Sequence, residues 1–221
     1  MKKTIIIDFD HTIGYFDQII YIINIIEKTY HQTLNDLEVF DILDHYPYIF
    51  RPRIFDIIEL IKKYQFIQKL QFFILYTCNK NVKFVNTITK YIEQKINSHH
   101  IFNFKIFNYD FKKKIETIYT KTNNQVKAND LLCFIDNKYF TYHSKSIKYI
   151  KCEKYIYNYD TKTLLQVFPF KKYNLLNKKI IMKYLKILYK KKPLNPQLPR
   201  NSYEINSNYI LSLLYNFIHD N

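Results

Sequence analysis

The sequence predicts an α/β protein with a Rossmann-like parallel sheet. Short apolar segments without a helical face, typical of buried strands, alternate along the chain with segments whose apolar residues recur at helical spacing. This alternation favours a doubly wound sheet. The chain has 221 residues, of which 48% are hydrophobic and 24% are charged. It is therefore long enough for one well-buried domain with a C-terminal appendage.

Five segments are predicted to be strands. The first, Thr4 to Phe9, opens with β-branched residues, and the second, Gln71 to Tyr76, is almost entirely apolar. Continuous apolar runs of this length suit strands that are covered on both faces. The other three strands are expected near 101–107, at Leu131 to Ile135 and at Ile147 to Lys151.

Helical periodicity is found between the predicted strands. A helix is expected to start at Arg51-Pro52, and its apolar face consists of Ile54, Ile57, Ile58 and Ile61. Two further helices are predicted over 81–96 and 113–121. An Ile-rich stretch near 17–29 has helical or hairpin character, and a polar connection through Asn35 and Asp44 is expected to follow it.

We expect a domain at 1–150 that carries residues 15–50 as a small flap or lid insert. Residues 151–221 are expected to form a lysine-rich, mostly helical C-terminal extension. Within it, residues 171–192 hold nine lysines and no acidic residue, with lysines and apolar residues on separate helical faces. The face that carries the lysines would suit the binding of nucleic acid or of an acidic phosphopeptide. A solvated face on a helix docked to the core is the favoured interpretation.

Several classes of protein are excluded by composition. The single glycine, Gly14, rules out the G-x-G-x-x-G fingerprint and the P-loop, which need three and two glycines. The cysteines Cys78, Cys133 and Cys152 form no C-x-x-C pair, which favours core positions in a reducing compartment over a zinc site.

A membrane or secreted protein is not expected. Asp8 and Asp10 closely follow Lys2-Lys3, and the longest apolar run, Ile19 to Ile26, is interrupted by Asn24. We therefore predict a soluble intracellular protein of the cytoplasm or nucleus. The net charge of +15 is compatible with an acidic partner. The chain is also rich in Ile, Lys, Asn, Tyr and Phe, which AT-rich coding sequences supply. The positive charge is therefore weaker evidence for an acidic partner.

Polar side chains follow three of the predicted strands where each strand ends. Asp8 and Asp10 end the first strand, Thr77 follows the second, and Asp136-Asn137 follows the strand at 131–135. Because ligands of open α/β sheets bind at the carboxyl ends of the strands, these side chains are expected at one edge. Carboxylates from two strands form a hard-oxygen site suited to Mg²⁺.

The spacing of Asp8 and Asp10 also indicates that the two carboxylates could act together in catalysis. The residue between them points to the other face, so both carboxylates are predicted to project the same way. Two like charges held so close need a cation, or one of the two must stay protonated. This arrangement suits a nucleophile paired with a general acid.

In order, these motifs resemble the haloacid dehalogenase superfamily of phosphatases. A strand ending in D-x-D-x-T (Asp8 to Thr12), a strand ending in Thr77, a lysine and a strand ending in Asp136 carry the resemblance. The chain is most similar to the branch that dephosphorylates the RNA polymerase II C-terminal domain, including the NLI-interacting-factor-like phosphatases. The resemblance covers residues 4 to about 140.

Three segments carry the closer similarity to that branch. Arg51-Pro52-Arg53 corresponds to R-P-G, Tyr76-Thr77-Cys78-Asn79 to F-T-A-S, and Ile135 to Tyr139 to V-D-N-S-P. Arg53 thus replaces a glycine, and Lys138-Tyr139 replaces Ser-Pro. Among the neighbouring lysines, Lys113 fits the family pattern K-D-L-x-x-L, because apolar residues stand two and five positions after it. Lys114 is the reserve candidate, to be considered if Lys113 is not the motif lysine.

The resemblance implies a Mg²⁺-dependent phosphatase that hydrolyses phosphomonoesters through an aspartyl-phosphate. Asp8 would be the nucleophile and Asp10 the general acid and base, while Thr77 and Lys113 would hold the phosphoryl oxygens. The resemblance assigns the metal to Asp8, Asp10 and Asp136, and substrate binding to Thr12 and Asn137. A fold of this type with a small insert leaves the site open, which suits a phosphoprotein or a polynucleotide end better than a small metabolite.

Two alternatives stay open. The charge of +15 supports a polynucleotide-end phosphatase, and the departures near Asp136 are compatible with a catalytically silent binding module of the same fold. A strand-end aspartate can also cap a helix or form a turn. His11 is expected to have a structural role or to lie at the edge of the substrate site.

Overall fold

Within the residues that the computed structural model of this chain describes, five parallel strands form an open sheet in the order β3-β2-β1-β4-β5. The structure describes residues 1–110, 113–138, 146–167, 183 and 197–220. The strands are β1 (Lys3–Ile7), β2 (Phe72–Thr77), β3 (Phe104–Phe107), β4 (Leu131–Asp136) and β5 (Ile147–Lys151). Every neighbouring pair is parallel, which confirms the predicted α/β class with a parallel sheet.

The central strand β1 explains why a site forms where it does. Ile7 pairs with Leu75 of β2 on one side and with Ile135 of β4 on the other. The chain leaves β1 first towards β2 and later returns on its other side to β4. The direction of winding therefore reverses beside β1, and the crevice outside the carboxyl ends of β1 and β4 is where open sheets bind ligands.

The helices that belong to the sheet form because each has one apolar face. They are α3 (Ile54–Phe66), α4 (Val82–Lys95), α5 (Ile115–Lys121) and α7 (Arg200–His219). The predicted apolar face of α3 is confirmed, because all four of its isoleucines are buried. Asn81 caps α4 by accepting a hydrogen bond from Phe84 N at 3.0 Å.

The chain divides into two compact units whose boundaries differ from those predicted. The first unit, the sheet unit, comprises 1–14, 51–155 and 199–221; the second, the insert unit, comprises 15–50 and 156–198. The segment predicted as a small flap therefore shares a unit with residues that follow β5. The predicted C-terminal extension is split between the two units, because its final helix belongs to the sheet unit.

Hydrogen bonds between distant residues hold the insert unit together. Gln18 binds Tyr159 through both halves of its amide, donating to the main-chain oxygen and accepting from the main-chain nitrogen, each at 2.9 Å. The Tyr46 hydroxyl donates to Leu164 O at 2.8 Å. The helices of this unit within the described residues are α1 (Asp17–Tyr30), α2 (Asp36–Asp44) and α6 (Thr161–Val167).

The prediction of a polar connection through Asn35 and Asp44 is wrong, because this segment is helix α2. Asn35 and Glu38 form a reciprocal capping box: the Asn35 side chain accepts from Glu38 N at 3.0 Å, and the Glu38 side chain accepts from Asn35 N at 2.8 Å. Such a pair satisfies two of the amide groups that a helix start leaves without partners. Val39, Ile42 and Leu43 supply the buried face.

The C-terminal part of the chain is described only in places. Helix α7 agrees with the expected helical character, whereas the lysine-rich segment 171–192, Lys183 apart, lies outside the described residues. Among the helices that the structure describes, none combines the length and apolar character needed to cross a membrane.

Candidate active site

Two aspartates stand side by side where β1 and β4 end. Asp8 follows the last residue of β1, and its main-chain nitrogen donates to Ile135 O at 2.9 Å, so the ladder continues one residue past the strand. Asp136 is the last residue of β4. The backbone pairing therefore places both carboxylates in the crevice beside β1, where Asp8 is 8% and Asp136 only 1% exposed.

A single lysine bridges the two carboxylates. Lys113 Nζ lies 2.6 Å from Asp8 Oδ1 and 2.6 Å from Asp136 Oδ2, and the side chain is buried. The structure thus brings Lys113 to this edge, whereas the reserve candidate Lys114 has an exposed side chain. Charge-assisted hydrogen bonds of this length are the strong ones in proteins. One ammonium therefore compensates one of the two negative charges.

Burial and charge set the ionisation of this trio. Burial raises the pKa of Asp136 to about 6, the charge of Asp8 adds to that rise, and Lys113 opposes it. Burial alone would lower the pKa of Lys113, but attraction to Asp8 and then Asp136 outweighs it and raises the pKa. At neutral pH the lysine is therefore charged. Asp136 is ionised as well, but its pKa of about 6 lies only slightly below neutral pH.

Thr12 and Asn137 orient the second oxygen of Asp8. Thr12 Oγ1 lies 3.4 Å from Asp8 Oδ2, to which it donates, and accepts from Asn137 N at 3.2 Å. We orient the Asn137 amide so that its nitrogen donates to Asp8 Oδ2 and to the main-chain oxygen of Asp10, each at 3.2 Å. Both predicted substrate-binding residues thus lie at the Asp8 carboxylate.

Asp10 has a different environment from Asp8. Asn79 Nδ2 donates to both carboxylate oxygens of Asp10, at 3.0 and 3.1 Å. Asn79 N donates to Oγ1 of Thr77, the buried last residue of β2, at 3.0 Å. Asn79 therefore connects two residues that the sequence assigned to catalysis. Its part was not predicted, although Asn79 is the last residue of the segment Tyr76 to Asn79 that resembles F-T-A-S.

Tyr76 is a second contributor that sequence reasoning missed. Its hydroxyl accepts from Lys114 N at 3.0 Å and from Asn108 Nδ2 at 3.2 Å, and it donates to Lys114 O at 3.2 Å. Lys113 Nζ lies 5.6 Å from the centre of the same ring, a cation–π distance. Tyr76 therefore fixes the backbone beside Lys113. The available signal was a tyrosine where the family pattern has Phe.

His11 has a structural role in the loop between Asp10 and Thr12. Its φ of 63° lies in the left-handed region, and its main-chain nitrogen donates to Gly14 O at 2.8 Å. The ring atom Nδ1 lies 2.9 Å from Tyr155 O. Since a carbonyl oxygen can only accept, Nδ1 carries the proton and donates it. The loop is thereby tied to the chain that follows β5.

The donor set fits Mg²⁺ with two carboxylates rather than the three that were predicted. Asp8 and Asp136 both contact the Lys113 ammonium at 2.6 Å, so the two carboxylates lie close enough together to share a cation. The described residues hold no group of three or more His, Cys, Asp or Glu side chains able to bind a metal ion. The main-chain oxygen of Asp10 and Asp8 Oδ2 accept from the same Asn137 amide nitrogen, whereas the Asp10 carboxylate accepts from Asn79. Mg²⁺ commonly needs only one or two carboxylates, with water and substrate phosphate.

Comparisons with protein-family models, with curated proteins and with solved structures find no match for this chain. The function of the site is therefore inferred from the order of its motifs and from its geometry. The feature that most needs a chemical explanation is the buried trio of Asp8, Lys113 and Asp136 at the carboxyl edge of the sheet.

Proposed function

We propose that this protein is a phosphatase of the haloacid dehalogenase type, which hydrolyses phosphomonoesters through a phosphate ester on Asp8. The observation that carries the proposal is the contact of Lys113 Nζ with both Asp8 and Asp136, at 2.6 Å each. Two buried carboxylates beside one ammonium leave a net negative charge, and burying such a charge costs stability. A nucleophile, a phosphate-binding cation and a metal ligand account for all three groups together.

Asp8 is the proposed nucleophile because it is the more exposed of the two paired carboxylates. One of its oxygens attacks phosphorus in line with the leaving group, and the bond between phosphorus and the leaving oxygen breaks. Thr12 and Asn137 hold the carboxylate in a fixed orientation. Such prior orientation lowers the barrier because the reacting groups need not be ordered during the reaction.

Asp10 is the proposed general acid and base. Its carboxyl group is half-buried and held by Asn79. In the first step Asp10 gives its proton to the leaving oxygen. In the second step it takes a proton from the water that attacks phosphorus, and the bond between phosphorus and Asp8 breaks. The two steps return the enzyme to its starting protonation state.

Lys113 is proposed to balance the negative charge of the phosphoryl group, together with the Thr77 hydroxyl at the neighbouring strand end. Charge stabilisation accounts for most of phosphoryl-transfer catalysis. Asp8, Asp136 and the main-chain oxygen of Asp10 would hold Mg²⁺. The ion would supply further positive charge beside the phosphate.

The substrate class rests on the resemblance, which favours a phosphoprotein. Residues 15–50 share a unit with 156–198, so a small flap that leaves the site open does not decide the substrate class. The charge of +15 favours a polynucleotide end instead. Both classes therefore belong in one assay.

The proposal is tested by incubating purified protein and Mg²⁺ with an aryl phosphate, phosphoserine peptides and 3′-phosphorylated DNA. We expect the wild type to release phosphate and Asp8→Asn to be inactive. Asp130→Asn is the matched control, because Asp130 is also buried but precedes β4 at its opposite end. A wild type that hydrolyses none of the substrates would contradict the proposal, and so would an Asp8→Asn protein that keeps more than about a tenth of the activity.

A further inference from the structure

A buried arginine holds the loop that carries the proposed catalytic groups. Arg51 Nε donates to Thr12 O at 2.7 Å, and Nη2 donates to His11 O at 2.9 Å. The Arg51 main-chain nitrogen donates to Ile13 O at 3.0 Å. Arg51 is only 2% exposed. Three consecutive carbonyl groups of the loop therefore have the same residue as their partner.

The guanidinium is itself held from the other end of the chain. Asn206, on α7, accepts from Arg51 Nη1 at 3.0 Å and from Glu153 N at 3.1 Å through the same side-chain oxygen. Arg51 Nη2 also donates to Glu153 O. One carboxamide therefore links the arginine to the segment that follows β5. Without it, a buried cation and a main-chain amide would each lose a partner.

We propose that Arg51 and Asn206 are positioning residues that fix the loop from Asp8 to Thr12 in its reactive shape. Through them helix α7, near the end of the chain, controls the geometry of the site. The effect on catalysis rests on the proposed function, whereas the restraint on the loop does not. Neither side chain touches the Asp8 carboxylate in the contacts described above, so both act through the loop backbone.

The geometry of the loop explains why it needs this support. His11 has a left-handed backbone conformation, which is unfavourable for a residue that carries a Cβ atom. A conformation of this kind persists only where the surrounding contacts impose it. The arginine supplies such contacts on the carbonyl side of His11, and Tyr155 N donates to the same carbonyl at 2.9 Å.

The test compares three variants of α7. Asn206→Leu removes the oxygen that accepts both hydrogen bonds, and Asn206→Asp keeps an acceptor in its place. Asn208→Leu is the matched control, since Asn208 lies on the same helix but binds the exposed Arg53. The first readout is amide hydrogen exchange of residues 9–14, which needs no activity. The second is kcat and KM for an aryl phosphate.

We expect Asn206→Leu to speed exchange of residues 9–14 by about tenfold, since a lost buried hydrogen bond is worth roughly that factor. Exchange in β4 should not change. Its kcat should fall by about tenfold or more while KM changes little, because displaced catalytic groups slow the chemical step. Asn206→Asp should restore both, and Asn208→Leu should behave as wild type.

The proposed role of Arg51 and Asn206 is overturned if Asn206→Leu and Asn208→Leu show the same exchange in the loop. It is also overturned if exchange rises equally in β4, because that pattern indicates only a structural role. If the loop exchange changes as expected but the wild type hydrolyses no phosphate ester, the proposed function fails and the restraint on the loop stands.

Discussion

At the scale of single residues, the site has more negative than positive side chains. Asp8 and Asp136 carry two negative charges into a buried crevice, and Lys113 supplies one positive charge between them. The remaining negative charge makes the site attractive to a second cation and costly without one. Both the pH dependence of stability and the response to metal follow from this imbalance.

Because the pKa of Asp136 is raised, the free energy of unfolding should depend on pH. Replacing Asp136 should remove this dependence. Its folded-state pKa of about 6 lies above the ordinary 3.8, so the folded protein binds this proton more tightly than the unfolded chain does. Ionising Asp136 therefore costs stability as pH rises between these two values. We expect the free energy of unfolding of Asp136→Asn, relative to wild type, to increase over that range. Denaturant titrations across it would reject this account if the difference stayed flat.

The residues of the site differ in whether the sequence alone could predict them. Asp8, Thr77 and Asp136 were predictable because each stands at the end of an apolar strand, and parallel strands end at one edge. Lys113 required a family pattern, since its neighbours in the lysine run are chemically alike. The contacts of Asn79 with Asp10 and of Arg51 with Asn206 join residues far apart in sequence. They leave no local pattern.

At the scale of elements, the start of α3 depends on an unusual residue. Arg53, directly before the helix, has a φ of 60°, where a side chain crowds the backbone. The family pattern has glycine at this position. The side chain recovers some stability through Asp56, at 2.8 Å, but exposed ion pairs contribute little.

We therefore expect Arg53→Gly to be more stable than Arg53→Ala by about 1 kcal/mol. Both variants lose the contacts of the arginine side chain, so their difference isolates the backbone conformation. Chemical denaturation of the two proteins measures it. An alanine variant as stable as the glycine variant would show that this backbone position carries no strain.

The elements also show where local sequence reasoning succeeds and where it fails. The strand predicted at Ile147 to Lys151 has the observed bounds, although two of its five residues are lysines. Helix α2 was missed because its four acidic residues are interspersed among the apolar ones. The N-x-x-E pattern at Asn35 and Glu38 was the signal that could have found it.

At the scale of the whole molecule, the division into units was not predictable from composition. Residues 15–50 and 156–198 form one unit although β1's partner strands lie between them in sequence. Gln18 and Tyr159 stand 141 positions apart. Hydrogen bonds over such distances in sequence depend on the folded chain, so a boundary drawn at residue 150 could not anticipate them.

Binding of Mg²⁺ should stabilise the whole molecule. An ion that binds only the folded state raises the melting temperature by mass action. We expect millimolar Mg²⁺ to raise the melting temperature of the wild type, and to do so much less in Asp136→Asn and Asp136→Ala. Melting curves with and without Mg²⁺ measure this. A shift that survives undiminished in both variants would place the ion elsewhere and leave Asp136 as a residue of the strand end.

If Asp8 carries the phosphoryl group during the proposed reaction, the phosphorylated protein can be trapped. Asp10→Asn lacks the proposed base of the second step, while an aryl leaving group departs without much help from an acid. After this variant is mixed with aryl phosphate and Mg²⁺ and quenched in acid, peptide mass spectrometry should find phosphate on Asp8. The same treatment of a protein that also carries Asp8→Asn should find none. Phosphate on another residue, or on no residue while the wild type releases product, would contradict the account.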